Sequence, residues 1–348
     1  MKSRGLCLRL SMMRRSFFLT SAAVLLSASL LHAQAPTAEL VSVEKIWDKA
    51  PYNGATDLTR FKNLFYCCFR EAESATKGEG TIRTLVSAAG KTWVESSVIT
   101  EAGTDLRDPK LIVTPDEKRL YLLCGGQATV GQVRQPRYAT TMDGKVWTPL
   151  QKLLAKGDWL WRVAVNPTDK RFYGASFNIH PTSGGPAPEK EWSLKTYASN
   201  DGSVWQLSSI MNVPGQPGET TVKFLKDGTA LALITRQGAD RKGIIGMAKA
   251  PYRDWTYAPT GVPVGGPNFI ELPDGKLIAG SRGFGATPGP HMVLFAMTPT
   301  SLTPILELPS GGDCSYPGLY WHEDLLHVTY YSSHEGKAAI YYARVKVK

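Results

Sequence analysis

Six short segments of this 348-residue chain repeat one pattern, in which polar turn residues separate two short apolar runs. The clearest examples are "LKDGTALALITR", which begins at Leu225, and "LPDGKLIAGSR", which begins at Leu272. Such a pattern is the local signature of a β-hairpin. The turns centre on Asn63, Asp116, Thr168, Asp227, Asp274 and Glu323, at intervals of 53, 52, 59, 47 and 49 residues. A hairpin cannot bury both of its faces alone, so six at a regular interval are expected to stack on one another.

The length of this interval restricts the fold further. Helical periodicity is also nearly absent after residue 35. A repeat of about 50 residues with four short strands per unit is typical of a β-propeller. Radial stacking buries both faces of every blade without leaving long exposed edges. We therefore predict an all-β fold, in which residues 36–348 form a single six-bladed β-propeller domain of four-stranded antiparallel blades.

A second series of turns lies between these hairpins and ends in tryptophan. "TTMDGKVW" ends at Trp147 and "ASNDGSVW" at Trp205, and "SAAGKTW" and the weaker "PYRDWTY" are related to them. In such a turn the aspartate accepts backbone N–H bonds, the glycine adopts a positive φ and the tryptophan fills the gap between sheets. Asp143 and Asp201 are accordingly predicted to be structural residues at the blade periphery.

The first 35 residues have the layout of a signal peptide. Five basic residues precede or flank the apolar run "FFLTSAAVLLSASLL", and small residues stand at Ala33 and Ala35, so cleavage is expected near Ala35. The pair Arg14-Arg15 is compatible with a twin-arginine route, although an ordinary charged leader explains it as well. The sequence therefore predicts export to the periplasm or the extracellular space. No later segment has the 18 apolar residues of a membrane span.

The charge of the chain after the predicted signal peptide argues against a nucleic-acid partner. Five of the basic residues and no acidic residue lie in the predicted signal peptide, so about half of the formal charge of +10 remains, without Lys/Arg runs. Nucleic acid is therefore not an expected partner.

Four cysteines follow the predicted signal peptide, namely Cys67, Cys68, Cys124 and Cys314. One disulfide between distant blades is compatible with export, whereas a strand-rich core favours buried free thiols. The sequence has no metal-binding spacing, and no metal or other cofactor is predicted.

Three arginines stand at the same position of the repeat, where the second strand of a hairpin ends. They are Arg70, Arg236 and Arg282. Strand ends of a propeller converge on its axis, so these side chains are expected to be neighbours. Their mutual repulsion has to be compensated by an anion or by nearby carboxylates, and guanidinium groups suit a bidentate carboxylate. Each arginine taken singly is also explained as a solvated residue after a strand.

Two segments resemble the bacterial exo-α-sialidases of the sialidase superfamily. "GETTVKFLKDGTALALITR" is similar to the segment that carries their glutamate and a substrate-binding arginine, and "CSYPGLYW" to their nucleophilic tyrosine segment. The aspartate turns also resemble the Asp-box, or BNR repeat, of these propellers. The resemblance implies a secreted glycoside hydrolase that cleaves a terminal acidic or polar sugar from a glycan. It assigns Tyr316 as nucleophile, Glu219 as its base, and Arg236 and Arg282 as carboxylate-binding residues.

The N-terminal half departs from the sialidase pattern. The Arg-Ile-Pro motif that supplies the first arginine of the family's triad is absent, so Arg70 or Arg107 would have to complete the clamp. The family's acid has no clear counterpart, and Asp57 or Asp108 is expected to take its place. "LRDPKL" contains Arg-Asp-Pro, which also occurs in five-bladed fructosidase-type enzymes. Asp57, Asp108 and Glu219 would then form a carboxylate set, although the six repeats favour the sialidase side.

Other residues fit a sugar site and also have ordinary structural explanations. Trp161 and Arg162 in "GDWLWRVAV" could stack on and bind a sugar, or pack between blades. Asn268 is expected to face the pore, and His334 with Glu335 could do acid–base work or form a solvated turn. Two further function classes stay open: a non-catalytic glycan-binding propeller and a scaffold for protein partners.

Overall fold

The computed structural model describes residues 36–178, 192–238, 240–284 and 288–348. In these ranges the regular structure consists of 24 β-strands in six four-stranded sheets, with no helix. No helix in the described ranges could therefore cross a membrane. The predicted signal peptide lies outside the described residues and stays a prediction.

The six sheets are the blades of a β-propeller, and their strands follow one another along the chain. Blade 1 contains β2 (Tyr52–Phe61), β3 (Leu64–Ala72), β4 (Thr81–Ser87) and β5 (Val94–Ile99). Blade 2 contains β6 (Thr104–Val113), β7 (Leu120–Ala128), β8 (Arg134–Thr141) and β9 (Gln151–Lys152). Blade 3 contains β10 (Asp158–Val165), β11 (Phe172–Asn178), β12 (Ser193–Ser199) and β13 (Gln206–Met211). Blade 4 contains β14 (Pro217–Phe224), β15 (Ala230–Arg236), β16 (Lys242–Ala248) and β17 (Thr256–Pro263). Blade 5 contains β18 (Gly265–Glu271), β19 (Leu277–Gly283), β20 (His291–Thr298) and β21 (Ser301–Glu307). Blade 6 contains β22 (Cys314–His322), β23 (Leu325–Ser332), β24 (Ala339–Val347) and, as its outer strand, β1 (Ala38–Trp47).

Blade 6 closes the ring by combining both ends of the described chain. Its strand β1 pairs antiparallel with β24, with Ala38 opposite Val347 and Trp47 opposite Ile340. The inner strand of each blade, which is the first in the blades numbered 1 to 5 and β22 in blade 6, contacts the inner strands on either side. The prediction of an all-β, six-bladed propeller with four-stranded antiparallel blades is confirmed, and all six predicted hairpin turns join the first and second strands of a blade.

Apolar side chains on facing blade surfaces hold the ring together. Between blades 5 and 6, for example, Ile278 and Leu294 pack in one buried cluster with Leu326 and Val328. Each such side chain stabilises the fold by roughly 1.5–3 kcal/mol when it is fully buried. Since neighbouring residues of a strand face opposite sides, every blade contributes to two of these interfaces.

The cysteines belong to this core as free thiols, as the strand-rich sequence favoured. The adjacent residues Cys67 and Cys68 of β3 lie in two different apolar clusters, one on each face of blade 1. Burial raises the pKa of all four described thiols, to about 12 for Cys124. They therefore act as small apolar core residues.

The inner strands share an irregularity that positions the candidate site. Near its start each inner strand has a register shift against its neighbour, as between Arg107 and Lys110 in β6 and between Ser315 and Gly318 in β22. Such bulges insert extra residues into the strand and redirect their side chains. The backbone is left-handed at several of these positions, with φ of 52° at Asp108, 58° at Gly266 and 55° at Tyr316.

The tryptophan-terminated turns join the third and fourth strands of their blades, as expected for peripheral turns. In two of them one aspartate oxygen accepts two successive backbone N–H groups. Asp143 accepts from Lys145 and Val146, and Asp201 accepts from Ser203 and Val204. These hydrogen bonds lower the pKa of both carboxyl groups to about 2, and the bond from the N–H of Val146 or Val204 has the largest effect.

Replacing Asp201 by alanine is expected to destabilise the fold by about 0.5–1 kcal/mol near neutral pH, because two turn N–H groups lose their acceptor in an exposed position. The folded pKa of about 2 lies below the unfolded value. The aspartate therefore stabilises the fold above the unfolded pKa, and this contribution is lost as pH falls through the folded pKa. Urea unfolding of both proteins at about pH 6 and about pH 2.5 measures the difference. A gap of equal size at both pH values would contradict the assignment.

Replacing Gly266 by alanine is expected to cost more than the same change at Gly275. Both glycines have positive φ, 58° and 88°, so both changes carry a left-handed penalty of about 1–2 kcal/mol. A Cβ at Gly266 would lie 2.6 Å from Ser315 Oγ and 3.0 Å from Tyr316 Cδ2, whereas one at Gly275 meets nothing within 4 Å. We expect a further loss of about 1–3 kcal/mol at Gly266, measured by urea unfolding. Equal losses would show that Tyr316 is not held by this packing.

Candidate functional site

Two side chains from different blades form a short hydrogen bond at the axis of the propeller. The Tyr316 hydroxyl of β22 donates to Glu219 Oε1 of β14 at 2.5 Å. The other oxygen, Oε2, accepts the backbone N–H of Gly266 at 2.7 Å. Both Tyr316 and Glu219 lie in the register shifts of their inner strands, which is how two residues 97 positions apart meet.

Burial shifts the proton affinity of both groups. It raises the pKa of Tyr316 well above its usual range, and the nearby Glu219 carboxylate raises it further. Burial also raises the pKa of Glu219, although the hydrogen bond from Tyr316 opposes the rise. Glu219 is therefore a stronger base than an exposed glutamate, and the phenolic proton is directed toward it.

A cavity of about 170 Å³ that Glu219 lines contains a second carboxyl group. Asp108, in the register shift of β6, lines this cavity together with Glu219. Its Oδ2 accepts the indole N–H of Trp159 at 3.2 Å. Asp57 is instead almost fully buried and receives Arg162 Nη1 at 2.8 Å and the Leu111 N–H at 2.9 Å. Of the two aspartates predicted as acid, Asp108 is the one that shares a cavity with Glu219.

Arg282 is the predicted clamp residue whose charge reaches the Tyr316–Glu219 pair. Its guanidinium donates to the Cys314 carbonyl and to Asp313 Oδ1, each at 2.8 Å. Burial lowers the pKa of Arg282, but Tyr331, Tyr316, Asp313 and Glu219 together raise it above its ordinary value. The charge of Arg282 thus favours the ionised forms of Tyr316 and Glu219.

The other predicted arginines are compensated by aspartates. Arg236 Nη2 donates to both oxygens of Asp240, at 2.7 and 2.8 Å. Arg70 and Arg107 share one carboxylate, with Arg70 Nε 2.8 Å from Asp105 Oδ1 and Arg107 Nη2 2.6 Å from Oδ2. Arg107 also lines the cavity of Asp108. The repulsion expected among the arginines is therefore relieved within the protein.

Two basic residues at the site were not identified from the sequence, because neither stands at a repeated position. Arg134 lines the cavity with its guanidinium 5.5 Å from the Trp159 ring centroid. Lys110 is buried with its ammonium 4.5 Å from the Trp161 ring centroid and 5.5 Å from that of Tyr316. Both follow from how blades meet at the axis, and the available sequence signal was that Lys110 belongs to the segment "LRDPKL".

The remaining predicted residues are distributed around the site. Trp161 is fully buried and its ring centroid lies 5.1 Å from that of Tyr316, so it packs against the tyrosine from within the core. Asn268 is also buried and donates to the Pro317 carbonyl at 3.0 Å. His334 and Glu335 follow β23 in blade 6, where His334 Nδ1 lies 2.9 Å from Ser332 Oγ and Glu335 accepts from Lys45 at 2.9 Å. These contacts of His334 and Glu335 belong to an outer turn of blade 6.

The sequence matches no family model and no curated protein. Solved structures are similar in fold at low identity. A Dyadobacter fermentans protein of unknown function has a TM-score of 0.76 at 15% identity, over 90% of this chain and 100% of that one. An α-L-arabinofuranosidase mutant from Fusarium graminearum, in complex with an iminosugar inhibitor, has a TM-score of 0.67 at 14% identity, over 88% and 98%. Trypanosoma rangeli sialidase in complex with sialic acid has a TM-score of 0.64 at 12% identity, over 89% of this chain and 58% of the enzyme. The chain therefore has the six-bladed propeller fold that is found in these two glycoside hydrolases.

Proposed function

We propose that this protein is an exported glycoside hydrolase that cleaves a terminal sugar from a glycan. The observation that carries the proposal is the 2.5 Å hydrogen bond from Tyr316 to Glu219, together with the cavity that Glu219 lines with Asp108. The fold shared with a sialidase and an arabinofuranosidase supports it. Export through a signal peptide at residues 1–35 is part of the same proposal.

In the proposed reaction Tyr316 is the nucleophile and Asp108 is the acid. The Tyr316 oxygen attacks the anomeric carbon while Glu219 accepts the phenolic proton, and Asp108 protonates the departing glycosidic oxygen. The bond from the anomeric carbon to the leaving group breaks as the bond to Tyr316 forms. Water then attacks the glycosyl-enzyme with Asp108 as base, and Glu219 returns the proton to Tyr316. Each proton and electron pair is thereby restored at the end of the cycle.

The environment of each group agrees with these roles. A phenol with a pKa near 10 is a poor nucleophile at neutral pH unless a base lies within hydrogen-bond reach. Burial raises the pKa of Glu219 above that of an exposed carboxyl group, which makes its carboxylate a stronger base toward the phenolic proton. The positive charge of Arg282 stabilises the negative charge that this proton transfer distributes over the pair.

A carboxylate-pair hydrolase is the second candidate, and the pairing of the arginines favours it. Because Asp240 and Asp105 already compensate Arg236, Arg70 and Arg107, the site does not require an anionic sugar to balance them. A tyrosine nucleophile has its clearest advantage with an anionic substrate, which would repel a carboxylate. With a neutral sugar, Glu219 could attack directly while Asp108 supplies the proton.

Substitutions of the three residues separate these mechanisms. On a fluorogenic glycoside that the protein cleaves, Tyr316→Phe, Glu219→Gln and Asp108→Asn are each expected to lower kcat by about 10²–10⁴-fold, since each removes a group that acts on the reacting atoms. The double variant of Tyr316 and Glu219 should be scarcely slower than either single variant. The peripheral Asp201→Asn is the matched control and should retain full turnover.

Substantial activity of Tyr316→Phe together with loss of activity in the carboxylate variants would replace the tyrosine mechanism by the carboxylate pair. No turnover on any tested α-sialoside, α-L-arabinofuranoside or other terminal glycoside, with retained glycan binding, would identify a binding module instead. The assay therefore includes direct binding of each sugar to the wild-type protein.

The sequence predicts an arginine clamp, and free sialic acid tests it. Arg282→Ala is expected to weaken binding of this acidic probe by roughly 1.5–3 kcal/mol, because its charge reaches Tyr316 and Glu219 although its side chain is partly exposed to solvent. Arg236→Ala is the matched comparison and should cost less than about 1 kcal/mol, because both oxygens of Asp240 accept from Arg236, whereas one oxygen of Asp313 accepts from Arg282. Isothermal titration measures both. Equal losses of affinity would show that Arg236 also binds the acidic probe. Absence of binding to the wild-type protein would favour a neutral sugar as substrate.

A further inference from the structure

A second cavity, here called the channel cavity, lies on the propeller axis and is separate from the one that contains Asp108. It has a volume of about 320 Å³ and is lined by all six inner strands, through residues that include Asp57, Leu111, Arg162, Lys223, Asn268 and Leu319. None of the reaction steps above uses these residues. Two cations and one carboxylate are therefore gathered in a space with no assigned role.

The hydrogen bonds of the channel cavity leave part of its positive charge uncompensated. Asp57 receives Arg162 Nη1 on one oxygen and the Leu111 N–H on the other, so both of its oxygens are occupied. Arg162 is more than nine-tenths buried, and its Nε has no hydrogen-bond acceptor among the residues that the structure describes. Lys223 forms no ion pair within the described ranges of the chain. A buried donor without an acceptor destabilises the fold, and a ligand that accepts hydrogen bonds would remove this destabilisation.

The charged neighbours of Lys223 are arranged to attract a negative ion. Burial, and after it the charge of Arg162, lowers the pKa of Lys223 to about 7, and Asp57 only partly opposes this. On β6, which contacts the strand of Arg162, burial and Arg162 also lower the pKa of Lys110, while Asp108 and Asp57 oppose this. Tyr320 of β22 is the remaining titratable group that lines the cavity. Arg162 and Lys223, on two different blades, thus line the cavity beside one carboxylate that is already bonded.

A basic cavity lies beside the channel cavity. It has a volume of about 590 Å³ and shares the lining residues Val165 and Tyr320 with the channel cavity, so the two are neighbours. Its lining contains Arg60, Lys62 and Lys170, with Glu117 as the acidic residue. Clefts lined by charge of one sign concentrate ions of the opposite sign.

We propose that the channel cavity binds a small inorganic anion between Arg162 and Lys223. A monovalent anion such as chloride would accept from Arg162 Nε and from the Lys223 ammonium, and would neutralise the excess charge at the axis. The volume is sufficient for such an ion with some of its water, since one water occupies about 30 Å³. Binding favours the protonated form of Lys223, so affinity falls as pH rises through the pKa of this lysine.

Chloride-35 NMR line broadening tests the site without requiring any enzymatic activity. With the wild-type protein at constant ionic strength, we expect excess line width at about pH 6 and at least a fivefold smaller excess at about pH 9, where Lys223 is neutral. Bromide should displace chloride and remove the excess. An excess that is absent at about pH 6, or that does not change with pH, would overturn the proposal.

Matched lysine variants assign the effect to the cavity. Lys223→Met and Lys223→Gln should each remove most of the excess line width, whereas Lys276→Met, at an exposed lysine paired with Asp274, should leave it unchanged. Two replacements are used so that a folding defect in one does not prevent the measurement. Wild-type broadening in a folded Lys223 variant, or a loss in Lys276→Met, would show that surface charge rather than the channel cavity binds the ion.

Discussion

Closure of the ring is the constraint on which the rest of the structure depends. A four-stranded blade has two apolar faces, so each blade is stable only between two others, and blade 6 is completed by β1 alongside β24. The closed ring holds the six inner strands around one axis. Because their register shifts all lie near the strand starts, the redirected side chains meet at one end of that axis.

The fold could be predicted from the sequence because its signals are local and repeated. The turn at Asp274 and the turn at Asp201 each specify a hairpin from a few adjacent residues, and six similar units specify a ring. Candidate site residues could be assigned only where a segment resembled a known one, as for Tyr316 and Glu219, which the structure joins by a hydrogen bond. The choice of Asp108 over Asp57 depends on burial and on which residues share a cavity, and neither is visible in a linear pattern.

The partners of the arginines were likewise only partly predictable from the sequence. Their shared position in the repeat correctly indicated that carboxylates or an anion must compensate them, yet Asp240 and Asp313 lie in loops that the repeat does not describe. Arg134 and Lys110 have no repeated position, so only the ring places them near Trp159 and Tyr316. Side chains whose role depends on contacts between blades escape an analysis of single hairpins.

The three groups of the proposed reaction are carried by alternate blades, with Asp108 on β6, Glu219 on β14 and Tyr316 on β22. One blade separates each of these strands from the next, so the angle between any two of the groups is set by the number of blades. A propeller with one blade more or fewer would change all three angles together, and no single substitution could restore them. The number of repeats thus sets the geometry of the site. As long as the ring keeps six blades, the site can change only through its side chains and loops.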